Sequence, residues 1–92
     1  MSDAIIWRVE FDRNAARELR KLGADAQRLI LRYLRARIAT AENPRRFGKP
    51  LLGDSKGLWR YRVGDYRIVA KIEDDRFIVL VVTVGHRREV YD

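Results

Sequence analysis

Alternating hydrophobic and polar residues near the start of the chain predict a half-buried β-strand. The alternation runs over residues 5–11 and places Trp7, Val9 and Phe11 on one side. Arg8 lies on the other side, where a strand on one face of a domain usually exposes polar groups. The chain is therefore expected to begin with a strand whose apolar side covers a core.

Two consecutive segments then repeat hydrophobic residues at the three- and four-residue spacing of helices. The first begins after Asp12, a good helix cap, and ends at Gly23. Asp25 is placed to cap the second, which Asn43 and Pro44 terminate. The apolar stripe of the second helix contains Ala26, Leu29, Ile30, Tyr33, Leu34, Ile38 and Ala41. We expect a helical hairpin joined by a short turn.

Beyond an irregular basic loop over residues 45–50, the hydrophobic period changes to two. The predicted strands are residues 58–63, 66–73 and 76–84, joined by turns at Gly64-Asp65 and Asp74-Asp75. The last strand is apolar on both faces, which is typical of an interior strand. The predicted fold class is α+β, a single domain over residues 1–92. Its element order is β-α-α-β-β-β, an antiparallel sheet with the helical hairpin packed on one face.

A two-residue turn at Gly64-Asp65 fixes which side chains share a face of the sheet. Arg62 then lies opposite Arg67, and Arg60 and Lys71 point the same way. Like charges directly across a strand pair are destabilising, by about 0.2–1 kcal/mol. A solvated face is the plain interpretation of these residues, and an anionic ligand that relieves the repulsion is the functional one. The apolar residues of the opposite face form the floor for the helices; they are Trp59, Tyr61, Val63, Tyr66, Ile68, Ala70, Ile72, Phe77, Val79 and Val81.

The net charge of the chain limits the classes of molecule that it is expected to bind. The 92 residues carry a net charge of +7, and sixteen of the twenty cationic side chains are arginine. The excess lies in residues 28–62, where Glu42 and Asp54 are the only acids. Phosphate-bearing partners fit this charge, nucleic acid first and membrane surface second. With no cysteine, disulfide scaffolds and zinc fingers are excluded, and with no long apolar run or leader we expect a soluble, cytoplasmic protein.

Several cations outside the strands have two interpretations, a solvated surface or a docking surface for nucleic acid. They are Arg28, Arg32, Arg35, Arg45, Arg46 and Lys49, and the local scarcity of acids favours docking. His86, the only histidine, is interpreted as a backbone or RNA contact before a general base, because the surrounding cations oppose its protonation. Glu73 and its two acidic neighbours are interpreted as a polar turn. We expect no metal and no cofactor.

The motifs ELRKL, KPLLGDSKGLWRYRVGDYRIVAKIEDD and VVTVGHRREVY together make the chain resemble the RelE toxins of toxin–antitoxin systems, within the RelE/ParE superfamily. The resemblance covers nearly the whole chain and implies an mRNA interferase, a metal-independent endoribonuclease that cuts messenger RNA in the ribosomal A site. It implies as partners a RelB-like cognate antitoxin and the 70S ribosome with mRNA. Operator DNA would be bound only through the antitoxin, and no membrane is implied.

The resemblance also implies roles for individual residues. Arg60 and Arg62 match two alternating basic residues, lysine in the best-known members, and Arg67 matches an arginine that follows an aromatic residue. Arg87 matches the arginine assigned to the leaving group, and Tyr91 matches the tyrosine proposed to orient or deprotonate the attacking hydroxyl. Arginine itself is always protonated and cannot act as the base. Under the same resemblance, docking to ribosomal RNA is the functional interpretation of the cations outside the strands. The full set of RNA- or ribosome-binding candidates is Arg28, Arg32, Arg35, Arg45, Arg46, Lys49, Lys71, His86 and Arg88.

Two other functions fit the same residues. The first is a ParE-like inhibitor of DNA gyrase on the same fold, for which Arg87 and Tyr91 would not be needed. The second is a non-catalytic nucleic-acid-binding module, which predicts salt-sensitive binding without cleavage. Codon preference, the identity of the antitoxin, the stoichiometry of the complex and the group that acts as general base stay open at this level.

Overall fold

The computed structural model describes residues 5–53 and 57–86. Their elements are β1 (Arg8–Phe11), α1 (Arg13–Lys21), α2 (Ala24–Tyr33), a π-helical turn (Leu34–Ile38), a 3₁₀ helix (Pro44–Phe47), β2 (Lys49–Pro50), β3 (Leu58–Val63), β4 (Tyr66–Glu73) and β5 (Ile78–His86). Two helices pack on a single sheet, so the predicted α+β class is confirmed; the element order matches the prediction except for the additional short strand β2. No helix among these residues is long and apolar enough to cross a membrane.

The five strands form one sheet in the order β1-β5-β4-β3-β2. The pairs β3–β4 and β4–β5 are antiparallel, as expected, and the additional strand β2 pairs antiparallel with β3. Strand β1 instead pairs in parallel with β5, with Val9 opposite Val79, so the sheet is mixed. The two helices between β1 and the rest of the sheet form the long crossover that a parallel pair requires. Strand β5 lies between β1 and β4, which confirms its prediction as an interior strand.

The core fills the space between the helices and one face of the sheet. Tyr61, Ile68, Val79 and Val81 from the strands meet Ile30 of α2, and each is at most 1% exposed. The register of β3 and β4 places Tyr61 opposite Ile68 and Val63 opposite Tyr66, as the two-residue turn predicts. The predicted helix-facing residues of these two strands all belong to this core or pack against it.

The N-terminal cap predicted for α1 is present, and the one predicted for α2 is not. The Asp12 carboxylate accepts a hydrogen bond from the backbone N–H of Ala15 at 2.8 Å, which caps α1 as predicted. The prediction that Asp25 caps α2 is wrong, because Gly23 is the capping residue and adopts a φ of 92°. Glycine adopts this positive φ without strain, so the turn ends at Gly23 and the helix begins two residues before the predicted position. Asp25 lies in the first turn and forms an ion pair with Arg28.

The segment that follows α2 is more regular than the sequence suggests. The helix widens into the π-helical turn, where the Ala39 N–H donates to the Leu34 carbonyl at 2.8 Å. Leu29 is 40% exposed and Ala41 is exposed, so neither belongs to the core stripe predicted for this helix. The predicted irregular loop over residues 45–50 is wrong: the 3₁₀ helix and β2 occupy it, and β2 pairs with β3.

The hairpin between β4 and β5 is longer than the predicted Asp74-Asp75 turn. Strand β5 begins at Ile78, and Phe77 lies in the turn with a φ of 54°. Phe77 is 37% exposed and packs edge-on against Trp7, with ring centroids 5.2 Å apart. It therefore closes the end of the core from the turn, and its predicted place in the strand is wrong.

A smaller apolar cluster lies on the other face of the sheet. Leu51 and Val69 are buried there, with Leu58 and Val82 packed against them. The cluster covers the part of this face next to the segment that follows β2. The remaining part of the face, toward the β3–β4 turn, carries the arginines.

Candidate nucleic-acid interface

Three predicted site residues meet on the sheet face opposite the helices. Arg62 of β3 pairs directly with Arg67 of β4, and Arg60 pairs with Val69. Alternation along β3 then places Arg60 and Arg62 on the same side, with buried Tyr61 between them on the helix side. The predicted cross-strand pair of arginines is therefore present, on the face for which it was predicted.

These arginines line a concave pocket of about 110 Å³, which we call the arginine pocket. Its lining residues are Phe47, Lys49, Arg60, Tyr61, Arg62 and Arg67. Lys49 reaches the pocket because β2 pairs with β3, which brings it opposite Arg60. None of the described residues that line the pocket is acidic, so four cationic side chains surround a space of anion size.

The wall of the pocket depends on how the 3₁₀ helix is held against β3. Asn43 accepts a hydrogen bond from the Arg45 N–H at 2.9 Å and so caps this helix, and Pro44 begins it. The buried hydroxyl of Tyr61 donates to the Pro44 carbonyl at 2.8 Å. Gly48 lies so close to β3 that an added Cβ would be 2.9 Å from Cε1 of Tyr61. Tyr61 therefore fixes the position of the segment that carries Phe47 and Lys49.

Arg45, predicted as an RNA contact, makes a specific contact within the protein. Its guanidinium binds both carboxylate oxygens of Asp74, at 2.9 and 2.7 Å, and lies over the Trp59 ring at 5.5 Å. The hydrogen bonds from Arg45 hold the pKa of Asp74 below its ordinary value, and the same contact raises the pKa of Arg45. The pair joins the 3₁₀ helix to the β4–β5 turn. Asp74 therefore competes with RNA for the Arg45 guanidinium.

Phe47 lies between two further arginines at the rim of the pocket. The Arg46 guanidinium lies 4.5 Å from the centroid of the Phe47 ring, and that of Arg37 lies 5.2 Å from it. Arg46 also pairs with Glu42 at 2.7 Å. Such contacts between a guanidinium and an aromatic face are attractive and hold the ring in place. The rim thus presents an aromatic ring and cations together, the combination that binds single-stranded nucleic acid.

Arginines of α2 and of the π-helical turn form a second surface. Arg28, Arg32 and Arg35 line a cavity of about 250 Å³ together with Leu31. Arg28 is engaged with Asp25 at the start of the helix. The structure does not bring Arg28 or Arg35 to the arginine pocket, and RNA docking by this surface stays a prediction.

The remaining candidates divide between positions on the sheet and positions outside the described residues. His86 pairs with Tyr66 and its ring contacts the Tyr66 ring, so it lies on the helix side of the sheet, away from the arginines. Lys71 is exposed near the opposite end of β4, four residues from Arg67. Arg87, Arg88 and Tyr91 lie outside the described residues.

The arginine pocket can bind and neutralise a phosphate group but its described residues offer no base. Burial raises the pKa of Tyr61, so its phenol stays protonated at neutral pH and remains a hydrogen-bond donor to Pro44. The guanidiniums are protonated at all relevant pH values. No group of three or more His, Cys, Asp or Glu side chains within residues 5–53 and 57–86 is arranged to hold a metal ion.

Sequence analysis missed Phe47 and Arg37 as parts of this region. Phe47 was inside a segment predicted as an irregular loop, and Arg37 is separated from the strand arginines by the whole connection to β3. The available signal was Asn43 followed by Pro44, a 3₁₀ or α-helical start that would have made the following residues a fixed element. The contact between Arg37 and Phe47 has no local signal, because packing of the 3₁₀ helix against the π-helical turn creates it.

Comparison with known proteins gives consistent similarities. A sequence model of the family described as "ParE toxin of type II toxin-antitoxin system, parDE" matches residues 9–91. The chain is 33% identical over 91 residues to Toxin RelE of Mycobacterium tuberculosis, covering 99% of this chain and 92% of that protein. It is 32% identical over 87 residues to the mRNA interferase toxin RelE of Escherichia coli, covering 90% of this chain and 87% of that protein.

A solved structure also matches over almost the full length. It is the toxin–antitoxin complex RelBE2 of Mycobacterium tuberculosis, where the matching chain superposes with a TM-score of 0.83 at 27% identity. The match covers 97% of this chain and 100% of that one. The mixed sheet and the helical hairpin are thus those of a known toxin fold.

Proposed function

Because this chain belongs to the RelE/ParE family of toxins from type II toxin–antitoxin systems, we propose that it is a ribosome-dependent mRNA endonuclease that inhibits translation. The observation that carries the proposal is the arginine pocket, where Arg60, Arg62 and Arg67 meet Lys49 around a space of phosphate size. A relative named mRNA interferase, 32% identical, supports the same activity. The proposal requires the pocket to bind the phosphate group that is cleaved.

The proposed reaction uses the 2′-hydroxyl of the substrate as the nucleophile. Its oxygen attacks the adjacent phosphorus and loses its proton, and the bond from phosphorus to the 5′-oxygen breaks. The products are a 2′,3′-cyclic phosphate and a 5′-hydroxyl that has gained a proton. The intermediate carries extra negative charge, and preorganised cations around such a charge typically supply the largest share of catalysis. Arg60, Arg62 and Arg67 have this role in the proposal.

Proton transfer is assigned to residues outside the described ranges. Tyr91 orients or deprotonates the 2′-hydroxyl, and Arg87 stabilises the leaving oxygen, as the family resemblance implies. Tyr61 does not compete for the role of base, because burial raises its pKa and its hydroxyl is bonded to Pro44. The proposal therefore makes Tyr91 the tyrosine on which cleavage depends.

The proposal includes an antitoxin that keeps the enzyme inactive. A matched structure is a complex of a RelE-type toxin with its antitoxin. An acidic or amphipathic segment of such a partner would neutralise the arginine pocket, since the pocket has cations and no acid among its described lining. The site of action would be the cytoplasm, where the 70S ribosome holds the mRNA, and operator DNA would be reached only through the antitoxin.

A second candidate function is inhibition of DNA gyrase. The description of the matching family model names ParE toxins, and this observation alone favours it. The fold is the same for both candidates, so the fold does not separate them. The two candidates differ in what they require of the tail, because gyrase inhibition does not need Arg87 or Tyr91.

Primer-extension mapping of an mRNA in a reconstituted translation reaction tests the proposal. The purified chain is expected to give codon-phased cuts only when ribosomes are present. The variants Arg67→Ala, Arg87→Ala and Tyr91→Phe should each reduce cutting, whereas the matched control Arg76→Ala, an exposed arginine paired with Glu73 in the β4–β5 turn, should not. Intact message with continuing translation would overturn the proposal.

A DNA supercoiling assay with purified gyrase completes the comparison. The wild-type chain should leave supercoiling unchanged if it is an mRNA endonuclease. Inhibition of supercoiling that Tyr91→Phe retains, together with intact message, would establish the gyrase candidate instead.

A further inference from the structure

A second cavity adjoins the arginine pocket at the tip of the β3–β4 hairpin. It measures about 400 Å³ and lies between the end of α2, the π-helical turn and the last residues of β3. We call it the hairpin-tip cavity. Its lining residues are Leu29, Arg32, Tyr33, Ala36, Arg37, Arg62, Val63 and Gly64. A space of this volume is in the range that holds a small ligand or one nucleotide.

The two cavities share one lining residue, Arg62. Phe47 of the arginine pocket contacts Arg37 of the hairpin-tip cavity, with the guanidinium 5.2 Å from the ring centroid. Arg62 and the contact between Phe47 and Arg37 therefore place the two cavities next to each other, and none of the described residues that line either cavity is acidic.

The lining combines cations with apolar surface. Arg32, Arg37 and Arg62 supply three guanidiniums, and within residues 5–53 and 57–86 none of the three forms an ion pair with an acid. Leu29 is 40% exposed at the cavity, and Tyr33 is half-buried with its pKa raised by desolvation, so its phenol is neutral. Gly64 adds backbone without a side chain to block the tip of the hairpin.

This combination matches the chemistry of a nucleotide in a single strand. Proteins bind unpaired nucleotides with guanidiniums for the phosphate and with aromatic or apolar surface for the base. A cavity for an inorganic ion would not need the exposed Leu29 or the ring of Tyr33. A purely apolar partner would leave three guanidiniums without an anion.

We propose that the hairpin-tip cavity is a subsite for the nucleotide next to the one whose phosphate occupies the arginine pocket. Arg37 and Arg32 bind the phosphate that follows, and the base lies against Leu29 and Tyr33. The inference rests on the proposed RNA substrate and adds a path for it, from the sheet face around the hairpin tip to α2. It also assigns Arg37 a role in binding RNA.

The test measures binding of short RNA to the full chain without ribosomes. The probes are oligoribonucleotides one, two and three nucleotides long, with 2′-O-methyl groups that prevent cleavage, measured at low salt by competition with a fluorescent RNA. The dinucleotide is expected to bind more tightly than the mononucleotide. In Arg37→Gln this gain should fall by about tenfold, equivalent to about 1.4 kcal/mol. Binding of the mononucleotide, which the arginine pocket holds, should fall by less than this, because Arg37 contacts that pocket only through Phe47.

Arg20→Gln is the matched control, because it removes the same charge from an exposed position on α1. An equal loss in Arg20→Gln and Arg37→Gln would overturn the inference, and so would a dinucleotide that binds no better than a mononucleotide. The outcome is separable from that of the proposed function. Length-dependent binding through Arg37 in a chain that cuts no message would sustain the subsite and refute the endonuclease. Cleavage of message with no effect of Arg37→Gln on binding would refute the subsite and sustain the endonuclease.

Discussion

The hydrogen bond donated by the Tyr61 hydroxyl links the wall of the arginine pocket to the core. Tyr61 is 1% exposed, and its hydroxyl donates to the Pro44 carbonyl at 2.8 Å. Tyr61→Phe keeps the ring and its packing but removes this bond. The fully buried Pro44 then has a carbonyl group one hydrogen bond short, at the start of the 3₁₀ helix that carries Phe47.

The size of the effect follows from the burial of both partners. A hydrogen bond contributes about 1 kcal/mol net, and a buried group left without its partner costs about 1–3 kcal/mol. We therefore expect Tyr61→Phe to lower the free energy of unfolding by about 1.5 kcal/mol. For a domain of this size the melting temperature should fall by about 6–12 °C. The affinity of the arginine pocket for phosphate should fall too, because Phe47 and Lys49 lose their fixed position.

Thermal and urea unfolding of both proteins measure this prediction, with Tyr33→Phe as the control. Tyr33 is half-buried and within the described residues its hydroxyl has no hydrogen bond, so its loss should change stability by less than about 0.5 kcal/mol. Alkaline pH gives a second readout. The pKa of Tyr61 is raised in the folded protein, so only the unfolded chain loses this proton just above pH 10.0, and stability falls as the pH rises. Tyr61→Phe has no phenol at this position, so its stability should fall less at alkaline pH. Equal stabilities of Tyr61→Phe and Tyr33→Phe would refute the reasoning.

Two further predictions concern the same wall of the pocket. Gly48→Ala should lower stability by about 1–3 kcal/mol in urea unfolding, because its Cβ would lie 2.9 Å from the Tyr61 ring and 3.2 Å from the Arg60 carbonyl; unchanged stability would contradict the close approach. Asp74→Asn should lower stability by less than about 1 kcal/mol, since the Asp74 side chain is 63% exposed in its pair with Arg45. The pKa of Asp74 is lowered in the folded protein, so the contribution is present above pH 3.8 and is lost as the pH falls through the lowered pKa. Acid unfolding curves of the two proteins should therefore converge below pH 3.8, and a constant difference would count against the pair.

The sheet face of the site was predictable because it depends on local pattern. Period-two alternation and the Gly64-Asp65 turn set the register of β3 and β4, and the opposition of Arg62 and Arg67 follows from that register alone. Gly64 adopts a φ of 59°, which the turn requires and glycine accepts without strain. No distant residue is needed to place these arginines.

The wall of the pocket was not predictable, because distant residues create it. Tyr61 donates a hydrogen bond to Pro44, which is seventeen residues earlier in the sequence, and Asp74 binds Arg45, which is twenty-nine residues earlier. Nothing in the local sequence around Arg45 indicates an acidic partner in another hairpin, so its pair with Asp74 was not predicted. The parallel pairing of β1 is likewise a long-range event, since alternation predicts a strand but not its neighbour.

The place of β5 in the sheet also governs the order in which the toxin can form during its own synthesis. Arg8 of β1 pairs with Ile78, so β1 has no strand partner until residues 78–81 have been made. The β3–β4 hairpin can close early, but its helix-side residues stay uncovered until β5 and β1 join them. Folding dominated by such distant contacts is slow compared with local structure. A nascent chain that stops before residue 78 lacks the interior strand of the sheet, and so the ribosome must pass residue 86 before the five-stranded toxin fold can form.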